Sequence, residues 1–195
     1  MVRRAFFVAM TAPLRIEGFA IVSADGMLAD AARRVPPGLI VEADQEFFHG
    51  SLEQAALVVH GRHSHEGGPR SAGRHRLIVT TQTAALAPDA SHANSVLWNP
   101  KGASLEEAWK RVGAPLGLCA VIGGPRVYEL FFEIGCDAFH LSRAAKVRLP
   151  GGLPVFPEVG PDCSPEDVLA RHGLEPGARR VLDDAAEVTL VTWRR

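Results

Sequence analysis

The sequence predicts an α/β domain on a mostly parallel sheet, with an antiparallel strand at its C-terminal edge. Three observations predict it. Short apolar runs rich in β-branched residues alternate with segments of helical period, the order that strand–helix–strand units produce. Two of those runs end abruptly in glycine: Leu57-Val58-Val59-His60-Gly61-Arg62-His63-Ser64 and Cys119-Ala120-Val121-Ile122-Gly123-Gly124-Pro125-Arg126-Val127-Tyr128. Near the end of the chain, Val188, Leu190 and the run from Val191 to Trp193 alternate as an antiparallel edge does.

Taken in order, residues 17–22 read as a strand closed by Ser23-Ala24-Asp25-Gly26, a turn signature. Residues 29–39, rich in Ala, Arg, Pro and Gly, read as a loop. Residues 42–54 suit a helix with Phe47, Phe48 and Leu52 on roughly one side. A strand over 56–60 leads into a glycine-rich turn over 63–75, and a β-branched strand follows over 76–81. Residues 96–98 form a short strand. Ser104 with Glu107 makes a capping box that opens a helix running to about Val112. Strand 118–122, helix 125–133 with proline in its first turn, and strand 138–143 complete the alternation. No repeat, low-complexity tract or linker interrupts this order, so a single domain over 17–195 is expected, preceded by an extension over 1–16. Ligands are then expected at the carboxyl ends of the parallel strands.

The bulk properties bound the function. A chain of 195 residues with 47% hydrophobic content can bury one core. A formal net charge of −1 gives no reason to expect nucleic acid or an anionic membrane surface as partner. Cys119, Cys136 and Cys163 are odd in number, widely spaced and without metal-type spacing. They read as small apolar fillers in a reducing cytoplasm. Two arginines near the start precede an apolar stretch of only about six residues, too short for a secretory signal. No stretch approaches the roughly 20 apolar residues of a membrane span. His60, His63, His65 and His75 invite a metal reading, but no second cluster completes a ligand set, and no metal is expected.

The glycine-ended runs carry the chemistry. Glycine lets the backbone turn tightly or approach a ligand, and a helix start offers unpaired N–H groups and a positive dipole end. One end bears Arg62 and Ser64, the other Arg126. Together they look like the two sides of a clamp for a dinucleotide diphosphate.

In motif order the chain from about Gly18 to Arg195 resembles the dihydrofolate reductase fold family. The resemblance rests on Ala20-Ile21-Val22-Ser23-Ala24-Asp25-Gly26, on Ala43-Asp44 ahead of Phe47-Phe48, and on Gly61-Arg62-His63-Ser64. It continues through Gly73-Arg74, Ile78-Val79-Thr80-Thr81-Gln82, Val121-Ile122-Gly123-Gly124-Pro125-Arg126-Val127-Tyr128 and Leu141-Ser142, then Phe156-Pro157 and the closing Val191-Thr192-Trp193-Arg194-Arg195. It implies a three-layer fold that binds NADPH across the sheet and reduces a pteridine or a pyrimidine. Gly61, Arg62, His63 and Ser64 would hold the diphosphate and adenosine side, a guanidinium fork suiting phosphate oxygens. Thr80 and Thr81, with Lys101 as a further candidate, would meet the adenosine 2′-phosphate. Gly123, Gly124, Pro125 and Arg126, continuing into Val127 and Tyr128, would approach the diphosphate and nicotinamide ribose, with Ile21 also on the cofactor.

The resemblance also assigns the substrate side. Asp44 would bind the heterocycle through its amino group and ring N–H and favour protonation of the ring, with Ser142 supplying a hydroxyl to that acid. An aspartate early in a helix is equally explained by capping or by the macrodipole, and a shifted loop would make Glu42 or Glu46 the acid instead. Phe48 would flank the ring, and Phe19 and Ile122 would offer backbone carbonyls at its edge. Arg74 falls where folate reductases hold the glutamate tail, and an arginine there also reads as an ordinary surface residue. Where those enzymes keep a Pro-Trp pair, this sequence carries Val35-Pro36-Pro37-Gly38, on a loop longer by a few residues. His63-Ser64-His65-Glu66-Gly67-Gly68 is more open and polar than the segment that lines a folate tail. The expectation is an NADPH-dependent reductase of a pteridine, most directly dihydrofolate. The alternatives are a riboflavin-pathway ribosylaminopyrimidine reductase and a nucleotide-binding relative with weak catalysis. A small heterocyclic substrate and a monomer or homodimer go with either reductase.

Overall fold

The computed structural model describes residues 14–64 and 71–195. The extension expected over 1–16 therefore lies, up to residue 13, outside the described residues, as do His65 to Gly68 of the polar turn. Strand β1 (Arg15–Ser23) begins two residues before the sequence pattern suggests, because Arg15 and Ile16 already pair with Leu118 and Cys119.

Six strands run parallel in the order β8 (Ala138–Ala144), β1, β7 (Leu118–Val121), β3 (Ala55–Gly61), β4 (Arg76–Val79) and β6 (Ser95–Trp98). At one side β12 (Val188–Arg194) pairs antiparallel with β8, the expected C-terminal antiparallel strand. Beyond it lie two short strands, β10 (Glu175–Pro176) and β11 (Arg180–Asp183), which carry no strong pattern of their own. At the other side β5 (Leu86–Pro88) folds back on β6, too short to show an alternation. A separate pair joins β2 (Met27–Ala29) to β9 (Leu153–Pro154).

Alternation along the strands builds the layers. On one face, Val58 of β3, Ala120 of β7 and Phe19 of β1 pack with Leu52, Phe47 and Phe48 of helix α1 (Glu42–Glu53). On the other, Leu57, Val59, Cys119, Val121, Phe139 and Leu141 pack against α2 (Leu105–Val112), α3 (Pro125–Ile134) and α4 (Pro165–Arg171). Helix α2 begins with the expected reciprocal cap between Ser104 and Glu107 and stops at Gly113, whose φ of 72° is left-handed. Helix α4 has the same kind of cap, Ser164 with Asp167. Its signal was present in the sequence but sat between proline-rich segments with no strand pattern close by.

The sheet opens where β7 stops. β7 pairs with β1 only from Arg15 to Gly18, whereas β8 stays paired with β1 from Glu17 to Ser23. Past Gly18 the free side of β1 therefore faces a gap, with the Gly123-Gly124 turn on its far side.

Candidate active site

A cavity of about 370 Å³ fills that gap, beneath α1 and above the sheet. A period of two puts the outer faces of β1 and β8 toward it: Phe19 and Ile21 from β1, His140 and Ser142 from β8. Asp44, Phe47 and Phe48 come down from α1, and Ile122, Gly124 and Tyr128 close the side beyond β7. His63 and Ser64, after β3, stand opposite Gly124.

Of the three acids considered on α1, Asp44 alone is buried; Glu42 and Glu46 are exposed and do not line the cavity. Asp44, Phe48 and Leu52 recur every four residues and so share one side of the helix. The cap residue of α1 is Val41, and the Asp44 carboxylate faces the Ser142 hydroxyl across the cavity floor. Burial pushes the Asp44 carboxyl above its ordinary range, opposed by the nearby Ser142 hydroxyl. Asp25 behaves in the opposite way. Burial raises it, but hydrogen bonds from the Ser23 hydroxyl and the Leu149 N–H outweigh the burial and hold it below the usual range. It ties the β1–β2 turn to the segment after β8 and lies outside the cavity.

The glycine turns are shaped for close approach. Gly61 donates its N–H to the Gly123 carbonyl at 2.8 Å, locking the two ends together, and the Gly123–Gly124 peptide is cis. Gly123 has φ 99°, and a Cβ there would come within 2.8 Å of the Tyr128 hydroxyl, so glycine is required. A Cβ on Gly124 would find only the Ser64 hydroxyl, 3.8 Å away, so this residue borders open space. Helix α3 starts at Gly124 with no side-chain cap and Pro125 in its first turn, leaving its N-terminus for a ligand. A second depression, about 420 Å³, adjoins the cavity through His63 and is lined by Arg62, His60, Arg76, Ser71 and His92, among others. The cavity, the side-chain-free backbone at the start of α3 and the adjoining depression, whose lining also includes Asp89 at 3.2 Å from His92, lie next to one another.

The expected residues do not all converge. Tyr128 is buried, and its hydroxyl donates to the Phe19 carbonyl at 2.6 Å, supplying the partner that β1 lacks once β7 has ended. Tyr128 thereby holds the gap open, and one lone pair of the Phe19 carbonyl is already used. Val127 is buried in the core behind the turn, and Arg126 points to solvent, 2.9 Å from Glu129. Thr80 is buried with its hydroxyl accepting from the Gln82 N–H; Thr81 and Lys101 are exposed, and none of the three lines either cavity. Arg74 is buried just before β4 and lines neither cavity.

His140 was missed by the sequence reading. Its ring stacks on Phe19 at 4.5 Å between centroids, and its two nitrogens lie 2.9 Å from Glu17 Oε2 and 3.0 Å from Thr192 Oγ1. The hydrogen bond from His140, opposed by burial, holds the Glu17 carboxyl below its usual range. Its position two residues before Ser142 on one strand was the available signal.

The chain has the dihydrofolate reductase-like fold, with a cavity on the α1 side of the sheet between β1 and the Gly-Gly turn. Solved structures that share that fold include three relatives of this chain's architecture. A protein assigned to riboflavin biosynthesis from Shewanella sp. PV-4 superposes with TM-score 0.65 at 18% identity, over 93% of this chain and 99% of its own. A diaminohydroxyphosphoribosylaminopyrimidine deaminase/5-amino-6-(5-phosphoribosylamino)uracil reductase from Thermotoga maritima gives TM-score 0.65 at 14% identity. That match covers 93% of this chain and 56% of the two-activity protein. Dihydrofolate reductase from Enterococcus faecalis, solved with NADP(H), gives TM-score 0.59 at 15% identity over 95% of this chain and 99% of its own. No protein-family model and no curated protein sequence matches the chain. Among the described residues no helix is long and apolar enough to cross a membrane.

Proposed function

We propose that this protein is an NADPH-dependent reductase of a pteridine, dihydrofolate-like in its chemistry. The observation that carries the reading is the buried Asp44 carboxylate, facing Ser142 on the floor of a cavity that opens onto the Gly-Gly turn. Arg62, His63 and Ser64 would hold the diphosphate and adenosine side, and the bare backbone at Gly124 would let the nicotinamide half reach the cavity. Bound there, NADPH supplies a hydride to a ring carbon of the substrate.

Asp44 does the remaining chemistry. Ionised, it accepts two hydrogen bonds from the ring's amino group and adjacent N–H, a geometry suited to a carboxylate. Its charge stabilises a proton on the neighbouring ring nitrogen, without which the ring carbon is a poor hydride acceptor. The net reaction moves one hydride to carbon and one solvent proton to nitrogen. Ser142 fixes the carboxylate rotamer, and Phe47 and Phe48 cover the ring and exclude water.

A second reading, reduction of a ribosylated pyrimidine, is favoured by one observation: Arg74, which would bind a folate's glutamate, does not line the cavity. NADPH oxidation followed by absorbance, with dihydrofolate and with the ribosylaminopyrimidine, tests both. Turnover of either substrate, lowered about 10²–10⁴-fold in Asp44→Asn, supports the reductase; no turnover of any heterocycle sinks it.

A further inference from the structure

The aromatic side of the cavity is built around one polar ring. Phe19, Phe47 and His140 all line the cavity and pack together. The His140 ring stacks on Phe19 with 14° between the planes, and Phe47 rests on both, 5.5 Å from His140 and 6.3 Å from Phe19 between centroids. The Arg180 guanidinium of β11 covers the Phe47 ring at 5.3 Å from its centroid. Sheet register assembles this cluster. Phe19, His140 and Thr192 are direct neighbours across β1, β8 and β12, and Glu17 precedes Phe19 on the same face of β1. His140 is therefore flanked by a carboxylate from one strand and a hydroxyl from the other, and it engages both: Nε2 lies 2.9 Å from Glu17 Oε2, and Nδ1 lies 3.0 Å from Thr192 Oγ1. No ring nitrogen is left for a ligand, and the ring cannot turn without breaking both bonds. An apolar side chain at this position would fill the space but leave the part-buried Glu17 without that partner. His140 does not act on the acid, since burial and the Ser142 hydroxyl are the causes of the Asp44 shift.

We propose that His140 is a positioning residue for the heterocycle: pinned by Glu17 and Thr192, it fixes Phe19 and Phe47, the aromatic wall against which a flat substrate packs. The inference rests on the reductase reading above and adds a determinant of fit to it, a hydrogen-bonded ring on the sheet that holds the wall in place. Phe19 is held at both ends. Its ring lies on His140, and its carbonyl accepts from the Tyr128 hydroxyl at 2.6 Å. Phe47, brought in by α1, is in turn held between the sheet rings and the Arg180 guanidinium. A wall ordered before the ligand enters lowers the cost of binding, because fewer side chains lose freedom in the complex. The pin joins three strands, and neither Glu17 nor Thr192 lines the cavity. Its effect therefore reaches the substrate through the rings and belongs to substrate binding rather than to the hydride step.

Steady-state kinetics with dihydrofolate and with the ribosylaminopyrimidine test it, in wild type, His140→Phe, Thr192→Val and the double variant. His140→Phe keeps a ring and removes both hydrogen bonds. Thr192→Val keeps the side-chain shape, removes one bond and lies outside the cavity lining. For whichever substrate wild type reduces, His140→Phe should raise KM about tenfold, the low end of what altered fit in an apolar pocket costs, and Thr192→Val by less. In both, kcat should stay within about twofold, the signature of lost substrate binding. The double variant should raise KM no further than His140→Phe, because the hydroxyl acts through the imidazole. NADPH affinity, measured by fluorescence, should match wild type and reports that the variants are folded. Should His140→Phe fail to bind NADPH, Thr192→Val decides alone: a raised KM at constant kcat supports the role, and an unchanged KM overturns it. Unchanged KM in both single variants, or additive effects in the double variant, overturns the positioning role and leaves the reductase standing. A loss confined to kcat would place His140 at the reacting atoms and overturns it equally. Absence of turnover of both heterocycles by wild type overturns the reductase reading and this inference with it.

Discussion

Asp44 is held where an acid is useful and costly. Burial disfavours its charged form, so the folded protein binds its proton more tightly than the unfolded chain does. The native state then carries more protons between the unfolded and the raised folded value, and stability falls as pH rises through that window. Above the window the full cost persists. Asp44→Asn should therefore raise the melting temperature at neutral pH, by roughly 2–4 °C per kcal/mol recovered in a chain of this size. The gain should vanish at a pH below the ordinary aspartate value, where wild type is protonated in both states. The same variant should lose about 10²–10⁴ in reductase rate, the range for a positioned acid or base, with partial recovery at low pH where substrate arrives protonated. A variant that is less stable than wild type at neutral pH would show that the carboxylate is satisfied by partners other than Ser142. Glu17 makes the opposite case. Its depressed value contributes stability that is complete above the ordinary glutamate value and lost as pH falls through the folded one. Glu17→Gln should therefore flatten the acid limb of the stability profile, read by thermal melts below neutral pH.

The two glycines at the start of α3 divide structure from binding. At Gly123 a side chain meets Tyr128 and an unfavourable φ, so Gly123→Ala should cost stability, on the order of 1–3 kcal/mol, visible as a lower melting temperature. At Gly124 the backbone lies at φ −79°, and a Cβ meets only the Ser64 hydroxyl at ordinary contact distance. Gly124→Val should leave the melt near wild type and abolish nucleotide binding, because the new methyl groups would occupy the space between Ser64 and the turn. Unchanged NADPH affinity in that variant would mean that the turn serves only to pack α3. Comparing the two neighbouring variants removes general disruption as an explanation.

Ligand preference is a property of both cavities and the ridge between them. On the reductase reading, Arg62 at the adjoining depression, where Asp89 is already paired with His92, would favour a cofactor with an extra phosphate. NADPH is expected to bind at least tenfold more tightly than NADH, a difference of about 1.4 kcal/mol. Ligand that binds only the native state raises its stability by mass action, so at equal saturating concentrations NADPH should lift the melting point about 3–6 °C further than NADH. Equal shifts would remove the 2′-phosphate from the account. Arg62→Ala should weaken both cofactors, since the diphosphate is common to them.

Periodicity and turn chemistry sufficed for the alternating strands and helices, the Ser104 cap, the Gly-Gly turn and the antiparallel Val188–Arg194, because each is specified by neighbours within a few residues. The short strands β5, β10 and β11 were not legible, since two to four residues hold no pattern and exist only because a longer strand offers its edge. For the site, the sequence placed Asp44, Ser142, Phe48 and the glycines on elements that do meet at one cavity. It left open which of Glu42, Asp44 and Glu46 is the buried acid, and the packing of α1 on the sheet decided that. Tertiary structure alone turned Tyr128 inward to the Phe19 carbonyl, kept Arg74 out of the cavity lining, and brought His140 to it. Those outcomes depend on where β7 ends relative to β1 and on how β8 registers between β1 and β12. Both are set by contacts between residues far apart in the chain or by backbone geometry, which no local pattern of side chains records.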